Sequence, residues 1–278
     1  GVLEARRILA RQGARAVAGV GGYVTIPVIA AARAMGIGTV VHESNARPGL
    51  ANRLLNLIAT KTAVGLAVAN AGLSRAGVVT GTPVRPEFFS VAPLSAATAG
   101  RRILVFGGSQ GSRALNRAVA GAAQLLAAER CEVVHQAGEK LLEETRGLYG
   151  TVPAGVRLEA FLPRLWEELS RADLVICRAG SQTLAELAAS GRPAILVPFG
   201  SATHGHQMEN AQAFRAAGAA EIVPEAELTG ERLAREALSL LGDPARLERL
   251  ARQARSLAHP DAARRLAELM DEVSRRPA

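Results

Sequence analysis

The sequence of 278 residues contains few aromatic side chains, only 3% of the total, so its core must be built mainly from Ala, Val, Leu and Ile. It has two cysteines, Cys131 and Cys177, too few for a disulfide framework, which favours a reducing compartment. No apolar run reaches the ~20 residues that a membrane-spanning helix needs. We therefore expect a packed globular protein with no transmembrane segment.

Lysine is also scarce, limited to Lys61 and Lys140, yet arginine brings the net charge to +8. A basic excess suits phosphorylated substrates, polyanions or acidic membrane surfaces, although a general bias towards Arg and Ala explains it equally well. The basic residues are scattered and have no aromatic residues interleaved, which disfavours nucleic acid as a partner. No Asp-x-Asp pair occurs, and His204 and His206 lack Cys or carboxylate partners at ligand spacing, so we expect no bound metal.

Apolar runs alternate with helical periods throughout the chain, which predicts an α/β protein with two doubly wound parallel sheets. We expect a first domain over 1–82, a linker over 83–100, and a second domain over 101–257. The linker contains three prolines and little periodicity. The last segment, 258–278, is predicted to be a helix that packs back on the first domain. Strands are predicted at 16–20, 39–42, 63–66, 78–80, 103–106, 133–136, 156–160, 174–177 and 194–198, and helices at 3–11, 24–35, 50–59, 113–128 and 183–190, with mostly helix after 207.

A glycine-rich loop follows the predicted strand 103–106, in the order Gly107-Gly-Ser-Gln-Gly111-Ser112. Glycines allow close backbone approach to a phosphate, the next helix supplies free amides, and Ser109 adds a hydroxyl donor. A plain strand-to-helix turn is the alternative. The spacing matches neither the dinucleotide-binding pattern nor a P-loop.

A second strand ends in Cys177-Arg-Ala-Gly180-Ser-Gln-Thr183-Leu-Ala-Glu186. The Glu186 carboxylate there is placed to accept hydrogen bonds from both hydroxyls of a ribose. Thr183-x-x-Glu186 is equally a capping box, in which the same carboxylate satisfies backbone donors. The sequence leaves both roles open.

Polar residues in two further segments are candidates for substrate contact. Glu43 and Asn45 directly follow a predicted strand, where Glu43 is a candidate general base and Asn45 a candidate partner for a sugar hydroxyl. The alternative is a buried His42 beside an ordinary turn. Gln207 and Asn210 are three residues apart on one helix face, so both are predicted to face a polar ligand.

Six ordered motifs resemble the MurG family of N-acetylglucosaminyltransferases, over essentially the whole chain. They are Gly19-Val-Gly-Gly-Tyr-Val-Thr-Ile-Pro27, His42-Glu-Ser-Asn45-Ala-Arg-Pro-Gly-Leu50, Gly81-Thr-Pro-Val-Arg85, Gly107-Gly-Ser-Gln-Gly111, Cys177-Arg-Ala-Gly180, and Val197-Pro-Phe199 through His206-Gln-Met-Glu-Asn-Ala211. The resemblance implies the GT-B fold, two Rossmann-like domains facing a cleft, with no cofactor.

The resemblance also implies a donor site mainly on the second domain. It places the ribose on Glu186, the uracil on the backbone of Leu162, and the nucleotide and diphosphate near Ser109 and Arg85. The remaining residues expected to bind substrate are Asn45, Gly108, Ser181, Gln182, Thr183, Leu184, Ala185, Gln207 and Asn210. A metal-free transferase must neutralise its leaving group with helix ends and arginines such as Arg85 or Arg178.

The activity implied by the resemblance is an inverting transfer of GlcNAc from UDP-GlcNAc to the muramyl C4 hydroxyl of lipid I. The product is lipid II, a precursor of peptidoglycan and hence of cell shape and division. The implied location is peripheral, on the cytoplasmic side of the inner membrane, against an anionic leaflet. Two alternatives remain, a UDP-GlcNAc 2-epimerase on the same scaffold and a non-catalytic nucleotide-sugar binder.

The chain departs from the family pattern in several places. The family's opening glycine-rich loop, which ends in a histidine, is absent, so we expect a truncated start, weak acceptor binding and little turnover. Ser44 and Thr82 stand where the family usually has Gln and Asn, and His204-Gly205 replaces an acidic pair.

For the membrane surface, the candidate residues that remain are basic residues with Leu54 and Leu55 on a predicted helix. Ordinary inward packing of both leucines is the favoured interpretation. The basic residues are Arg33, Arg47, Arg53 and Lys61.

Overall fold

Parallel strands alternate with helices in the computed structural model, which describes residues 1–97, 99–200 and 205–275. The chain separates into two units, one made of Gly1–Val84 and the C-terminal stretch from His259, the other of Arg85–Ala258. Residues 85–100 belong to the second unit, although the sequence predicts a linker over 83–100. Phe88 and Val91 are buried there and anchor the segment to this unit. Two isolated apolar residues among prolines form no helix or strand period, so the sequence does not predict this packing.

The first unit contains a parallel sheet in the order β1-β2-β3-β4. Its strands are β1 (Ala16–Gly19), β2 (Gly38–Glu43), β3 (Lys61–Val64) and β4 (Val78–Val79), and its helices are α1 (Val2–Arg11), α2 (Thr25–Ala34), α3 (Leu50–Ile58) and α11 (Ala262–Arg275). Every residue of β2 is buried, because helices cover both faces of the sheet. Leu9, Ile29 and Leu55 pack on one face, and α11 packs on the other through Leu269 and Val273.

The second unit contains a six-stranded parallel sheet in the order β10-β9-β8-β5-β6-β7. The strands are β5 (Arg102–Phe106), β6 (Glu132–Gln136), β7 (Val156–Glu159), β8 (Leu174–Cys177), β9 (Ala194–Leu196) and β10 (Ala220–Ile222). The helices are α4 (Arg113–Ala128), α5 (Leu142–Tyr149), α6 (Leu165–Arg171), α7 (Ser181–Ser190), α8 (His206–Ala216), α9 (Gly230–Leu241) and α10 (Pro244–Ser256). This order is that of the Rossmann fold, and it reverses direction between β5 and β8.

Several features of the second unit differ from the sequence-based expectation, among them helices α5 and α6, which were not predicted. Strand β10 was not predicted, because three residues between two helices show no period of their own. Helix α7 begins at Ser181, two residues before the predicted start at Thr183. The earlier start excludes a capping box formed by Thr183 and Glu186.

Candidate active site

The glycine-rich loop lies between β5 and α4, at the reversal point where open α/β sheets bind ligands. Gly108 and Gly111 have φ angles of +86° and +71°, which glycine adopts without strain. Ser112 closes the loop as the N-cap of α4, its hydroxyl accepting from the Leu115 amide at 3.3 Å. Ser109 is exposed in the turn between Gly108 and Gly111. The loop therefore leaves Ser109 accessible near the N-terminus of a 16-residue helix, an arrangement that suits a phosphate.

The end of β6 supports this loop from the side. The Gln136 amide donates to the Gly108 carbonyl at 3.1 Å. A Cβ on Gly111 would overlap the carbonyl oxygen of Ala137, and one on Gly138 would lie 2.6 Å from the Gly111 nitrogen. The two backbone segments thus touch at a distance that only glycine allows.

Helix α7 settles the choice between a capping box and a free carboxylate for Glu186. Gly180 is the N-cap of α7 and makes no side-chain cap, so Thr183 lies inside the helix and cannot form the Thr183-x-x-Glu186 box. The half-buried Glu186 carboxylate instead accepts from the Gln182 amide at 3.3 Å, one turn earlier. Burial raises its pKa above the usual value, although the Gln182 hydrogen bond and the positive charge of Arg85 act in the opposite direction.

The exposed Arg85 lies close enough to Glu186 for its positive charge to lower the pKa of the Glu186 carboxyl. Its guanidinium stacks 4.5 Å from the centroid of the Trp166 ring and 5.4 Å from that of Phe88. These aromatic contacts fix the position of a cation beside the predicted ribose residue. Leu162 is buried in the segment after β7, so its side chain packs inward.

Arg178 is a buried anchor at the end of β8. It donates to the Ser112 hydroxyl at 2.6 Å and to the Val197 carbonyl at 3.1 Å, forms an ion pair with Glu225, and lies over the Phe199 ring. The sequence predicts that Arg178 is one of the cations that stabilise the leaving group. With these partners it links the ends of β8 and β9 to the start of α4.

Two predicted ligand residues on α8 hold neighbouring loops. Asn210 is fully buried and donates to the Ala179 carbonyl at 3.1 Å, which corrects the prediction that it faces a ligand. Gln207 is half-buried, and its side-chain oxygen accepts from the Phe199 amide at 3.0 Å. His204, considered above as a metal ligand and as a departure from the family pattern, lies outside the described residues.

A cavity of about 700 Å³ opens beside the glycine-rich loop, large enough for a sugar. Its lining carries more positive than negative side chains, and the negative one, Glu225, is the partner of Arg178. It is lined by Gly107, Gln110, Gly111, Ser112, Arg113, Ala114, Arg117, Lys140, Leu141, Arg178, Phe199, Gln207 and Glu225. The cavity therefore suits an anionic sugar derivative.

In the first unit, Glu43 does not have the geometry of a general base. Its carboxylate is 2% exposed and accepts four hydrogen bonds, from the backbone and side-chain amides of Asn45, the Gly49 amide and the Asn52 side chain, at 2.8–3.0 Å. A carboxylate has about four lone-pair sites, and all are occupied here. Glu43 therefore organises the loop after β2. This corrects the prediction that Glu43 acts as a general base. His42 is buried beside it and donates from Nε2 to the Gly81 carbonyl at 3.0 Å.

Sequence reasoning missed the residues that position these loops. Gln136 ends a strand beside the glycine-rich loop, so its place at a strand's carboxyl end was a usable signal. Glu225 and Asn52 lie in segments without a motif, and only the fold brings them to Arg178 and Glu43. Among residues 1–97, 99–200 and 205–275, no cluster of three His, Cys, Asp or Glu side chains could hold a metal ion.

Two domain families match this chain. The model of the glycosyltransferase family 28 C-terminal domain matches residues 102–266, and that of the family 28 N-terminal domain matches residues 1–64. The chain belongs to glycosyltransferase family 28. The UDP-N-acetylglucosamine–N-acetylmuramyl-(pentapeptide) pyrophosphoryl-undecaprenol N-acetylglucosamine transferase of Alkalilimnicola ehrlichii is 42% identical, over 98% of this chain and 77% of that protein.

Solved structures extend the comparison to the fold. MurG of Acinetobacter baumannii matches with a TM-score of 0.82 and 31% identity, over 98% of this chain and 77% of that one. This match confirms the predicted fold class, two parallel-sheet α/β domains of the GT-B type. A UDP-GlcNAc 2-epimerase from Neisseria meningitidis matches with a TM-score of 0.70 and 14% identity, over 98% and 80% of the two chains, which reflects the fold alone. No described helix of this family 28 member is both long and apolar enough to cross a bilayer.

Proposed function

We propose that the protein is an inverting N-acetylglucosaminyltransferase that moves GlcNAc from UDP-GlcNAc to the muramyl C4 hydroxyl of lipid I, giving lipid II for peptidoglycan synthesis. The observation that carries the proposal is the second unit's site. A half-buried Glu186, with Arg85 beside it, lies on a helix that starts at the reversal point next to a glycine-rich loop. The named relative transfers N-acetylglucosamine, which agrees with this donor.

In the proposed donor complex, Glu186 accepts the ribose hydroxyls, and the backbone of Leu162 meets the uracil. Ser109 and the N-terminal turns of α4 and α7 bind the diphosphate, and Arg85 stabilises the charge that develops as UDP leaves. The sugar occupies the cavity lined by Gln207. Ser181, Gln182 and Thr183 form the first turn of α7, followed by Leu184 and Ala185. Leu184 is buried, and Asn210 donates to the Ala179 carbonyl in the loop before α7, so both act by holding the backbone of this segment in place.

Isothermal titration with UDP-GlcNAc tests the donor site, with UDP-glucose and NADH as competing ligands. Replacing Glu186 by alanine should weaken UDP-GlcNAc binding at least tenfold, which is about 1.5–3 kcal/mol for a hydrogen bond to a charged group. Glu143→Ala removes an exposed carboxylate on α5 and serves as the matched control. Folded protein that does not bind UDP-GlcNAc would refute the proposal. Conversion of UDP-GlcNAc to its C2 epimer without acceptor would identify the epimerase instead.

We further propose that α3 docks on the anionic leaflet that carries lipid I. The inward side of the helix carries Asn52 and Asn56 together with Ala51 and Leu55. The outward side is largely apolar, because Leu50, Leu54, Leu57 and Ile58 are 43–62% exposed. The exposed leucines recur at helical spacing and form one face. Leu55 packs inward as expected, but Leu54 points outward, which corrects the favoured inward packing of both.

Buried asparagines explain why this helix keeps its orientation. Asn52 donates to Glu43 at 2.8 Å, and Asn56 donates to Thr62 and to the Arg75 carbonyl at 3.0 and 2.9 Å. Turning the exposed leucines inward would break these bonds in the core. An apolar face next to the exposed Arg53 is the combination that binds anionic bilayers.

Sedimentation with phosphatidylglycerol vesicles tests the membrane surface. The double variant Leu54→Glu, Leu57→Glu should lose most vesicle binding, whereas Leu125→Glu, at a similarly exposed leucine on α4 of the second unit, should keep it. Equal loss in both variants, or none in either, would contradict the assignment to α3.

A further inference from the structure

A buried polar network lies beside the glycine-rich loop, in the second unit. His135 of β6 is fully buried, Asn116 of α4 and Thr145 of α5 are each 1% exposed, and Tyr149 at the end of α5 is half-buried. Buried polar groups destabilise a fold unless each finds a partner. Here all four do, through side chains from three elements. None of the four is among the residues predicted to bind the sugar-nucleotide donor.

The hydrogen bonds of the network can point in one direction only. Asn116 uses both amide hydrogens, donating to the Ala137 carbonyl at 3.0 Å and to the Thr145 hydroxyl at 2.9 Å. Its oxygen, 3.1 Å from Nε2 of His135, must therefore accept, so Nε2 carries the imidazole hydrogen. Nδ1 then accepts from the Tyr149 hydroxyl at 2.8 Å.

Thr145 completes the chain by donating to the Leu141 carbonyl at 2.7 Å. Burial lowers the pKa of His135 to about 4, which agrees with a neutral ring. A network with one allowed orientation holds its members in one geometry, because any rotation leaves a buried donor or acceptor unpaired.

The group that this network fixes is the backbone under the loop. The Ala137 carbonyl that Asn116 holds is the atom that a Cβ on Gly111 would overlap, and Gly138 lies against the Gly111 nitrogen. Gln136, which follows His135 in the chain, donates to the Gly108 carbonyl. A displacement of the Ala137 peptide would therefore move the loop that carries Ser109.

We propose that the Tyr149–His135–Asn116 network positions the glycine-rich loop for the diphosphate of a nucleoside diphosphate sugar. The inference rests on the proposed donor site, which it deepens. The three side chains touch no ligand, so they are positioning residues. Since the uracil and ribose are assigned to Leu162 and Glu186, the network should govern affinity for the phosphates and leave the nucleoside part unchanged.

Binding of UDP and of uridine, measured by titration NMR on the same protein, separates these contributions. Asn116→Ala should weaken UDP binding at least fivefold and change uridine binding less than twofold. Tyr149→Phe removes one hydroxyl and keeps the ring, so it should fold and weaken UDP binding by two- to threefold. Hydrogen exchange at the Gly111 amide, which donates to the Gly108 carbonyl at 3.0 Å, should accelerate in both variants.

Ser190→Ala is the control, since it removes a fully buried hydroxyl from the last turn of α7 in the same unit. It should alter neither UDP nor uridine binding. Equal losses for UDP and uridine in folded Tyr149→Phe would show a general structural defect and overturn the positioning role. Unchanged affinities would overturn it as well. Wild-type protein that binds neither ligand would instead refute the proposed donor site itself.

Discussion

Glu186 illustrates how a single carboxylate is adjusted by its surroundings. Its pKa is raised mainly by burial, and the Gln182 hydrogen bond and Arg85 oppose that rise. The position fits a group that must be ionised to accept both ribose hydroxyls and that lies next to an arginine. Local sequence also permits a cap, and the start of α7 at Ser181 removes that possibility.

The raised pKa of Glu186 predicts acid-sensitive donor binding. Protonation removes the acceptor capacity, so UDP-GlcNAc affinity should fall as the pH drops through a pKa above the usual glutamate value. Titrations between pH 7.5 and pH 4.5 measure this. Glu186→Gln should bind more weakly at neutral pH and lose affinity less steeply on acidification. Parallel curves for the two proteins would contradict the prediction.

His135 predicts a pH dependence of stability. Its pKa is about 4 in the folded protein and 6.5 in the unfolded chain, so between these values only the unfolded chain binds the proton. The free energy of unfolding should therefore fall as the pH drops from 6.5 towards 4, by about 3 kcal/mol in all. Above pH 6.5 this contribution is fully present.

Urea unfolding at pH 7 and pH 4.5 checks this behaviour in wild type and His135→Gln. The glutamine variant is less stable at neutral pH because the network is broken. The stability difference between the two proteins should shrink at pH 4.5, where only the histidine has to take up a proton on unfolding. A difference that is constant with pH would show that His135 is not buried as a neutral ring.

At the scale of elements, the contact between the β5–α4 loop and the end of β6 depends on two glycines. Gly111 combines a positive φ with a contact in which a Cβ would overlap the Ala137 carbonyl. Gly111→Ala should therefore lower the free energy of unfolding by more than about 1 kcal/mol and weaken UDP-GlcNAc binding. Chemical unfolding and calorimetric titration measure the two effects.

Gly147→Ala is the matched glycine control for this prediction. Gly147 lies inside α5, and a Cβ there would meet no atom within 4 Å. Alanine should stabilise this helix by about 0.5–1 kcal/mol and leave donor binding unchanged. If Gly111→Ala behaves like Gly147→Ala, the close approach does not constrain the loop.

At the scale of the whole molecule, the first unit depends on a helix from the far end of the chain. Val273 of α11 is 1% exposed and packs with Val40, Ala63 and Leu269. A Cβ on Gly38 would overlap the Val273 carbonyl, so the helix lies directly on β2. The strand thereby gains a second covered face and is buried along its full length.

Val273→Asp should destabilise the first unit by about 3 kcal/mol or more, because it buries a charge without a partner. The sole tryptophan, Trp166, lies in the second unit and reports on that unit by fluorescence. Helix loss by circular dichroism should therefore begin at a lower temperature than the Trp166 transition. Ala267→Asp, at an exposed position of α11, should change neither. Equal shifts of both signals in Val273→Asp would contradict the prediction.

The sequence alone determined most elements of both sheets, the glycine-rich loop and the family. Periodicity and glycine act locally, so strands such as β8 and helices such as α4 were predicted with their observed bounds. The likeness of six motifs located the donor residues, whose binding roles stay predictions.

What the buried polar groups do depends on the tertiary structure. It occupied the lone pairs of Glu43, turned Asn52 and Asn56 of α3 inward and Leu54 and Leu57 outward, and joined His135 to Asn116 and Tyr149. The physical reason is that a buried polar group takes its partners from whichever segments the fold brings beside it, from Asn52 nine residues after Glu43 to Asn116 nineteen residues before His135. No local pattern records which donor will be within 3 Å of which acceptor once the sheets have formed.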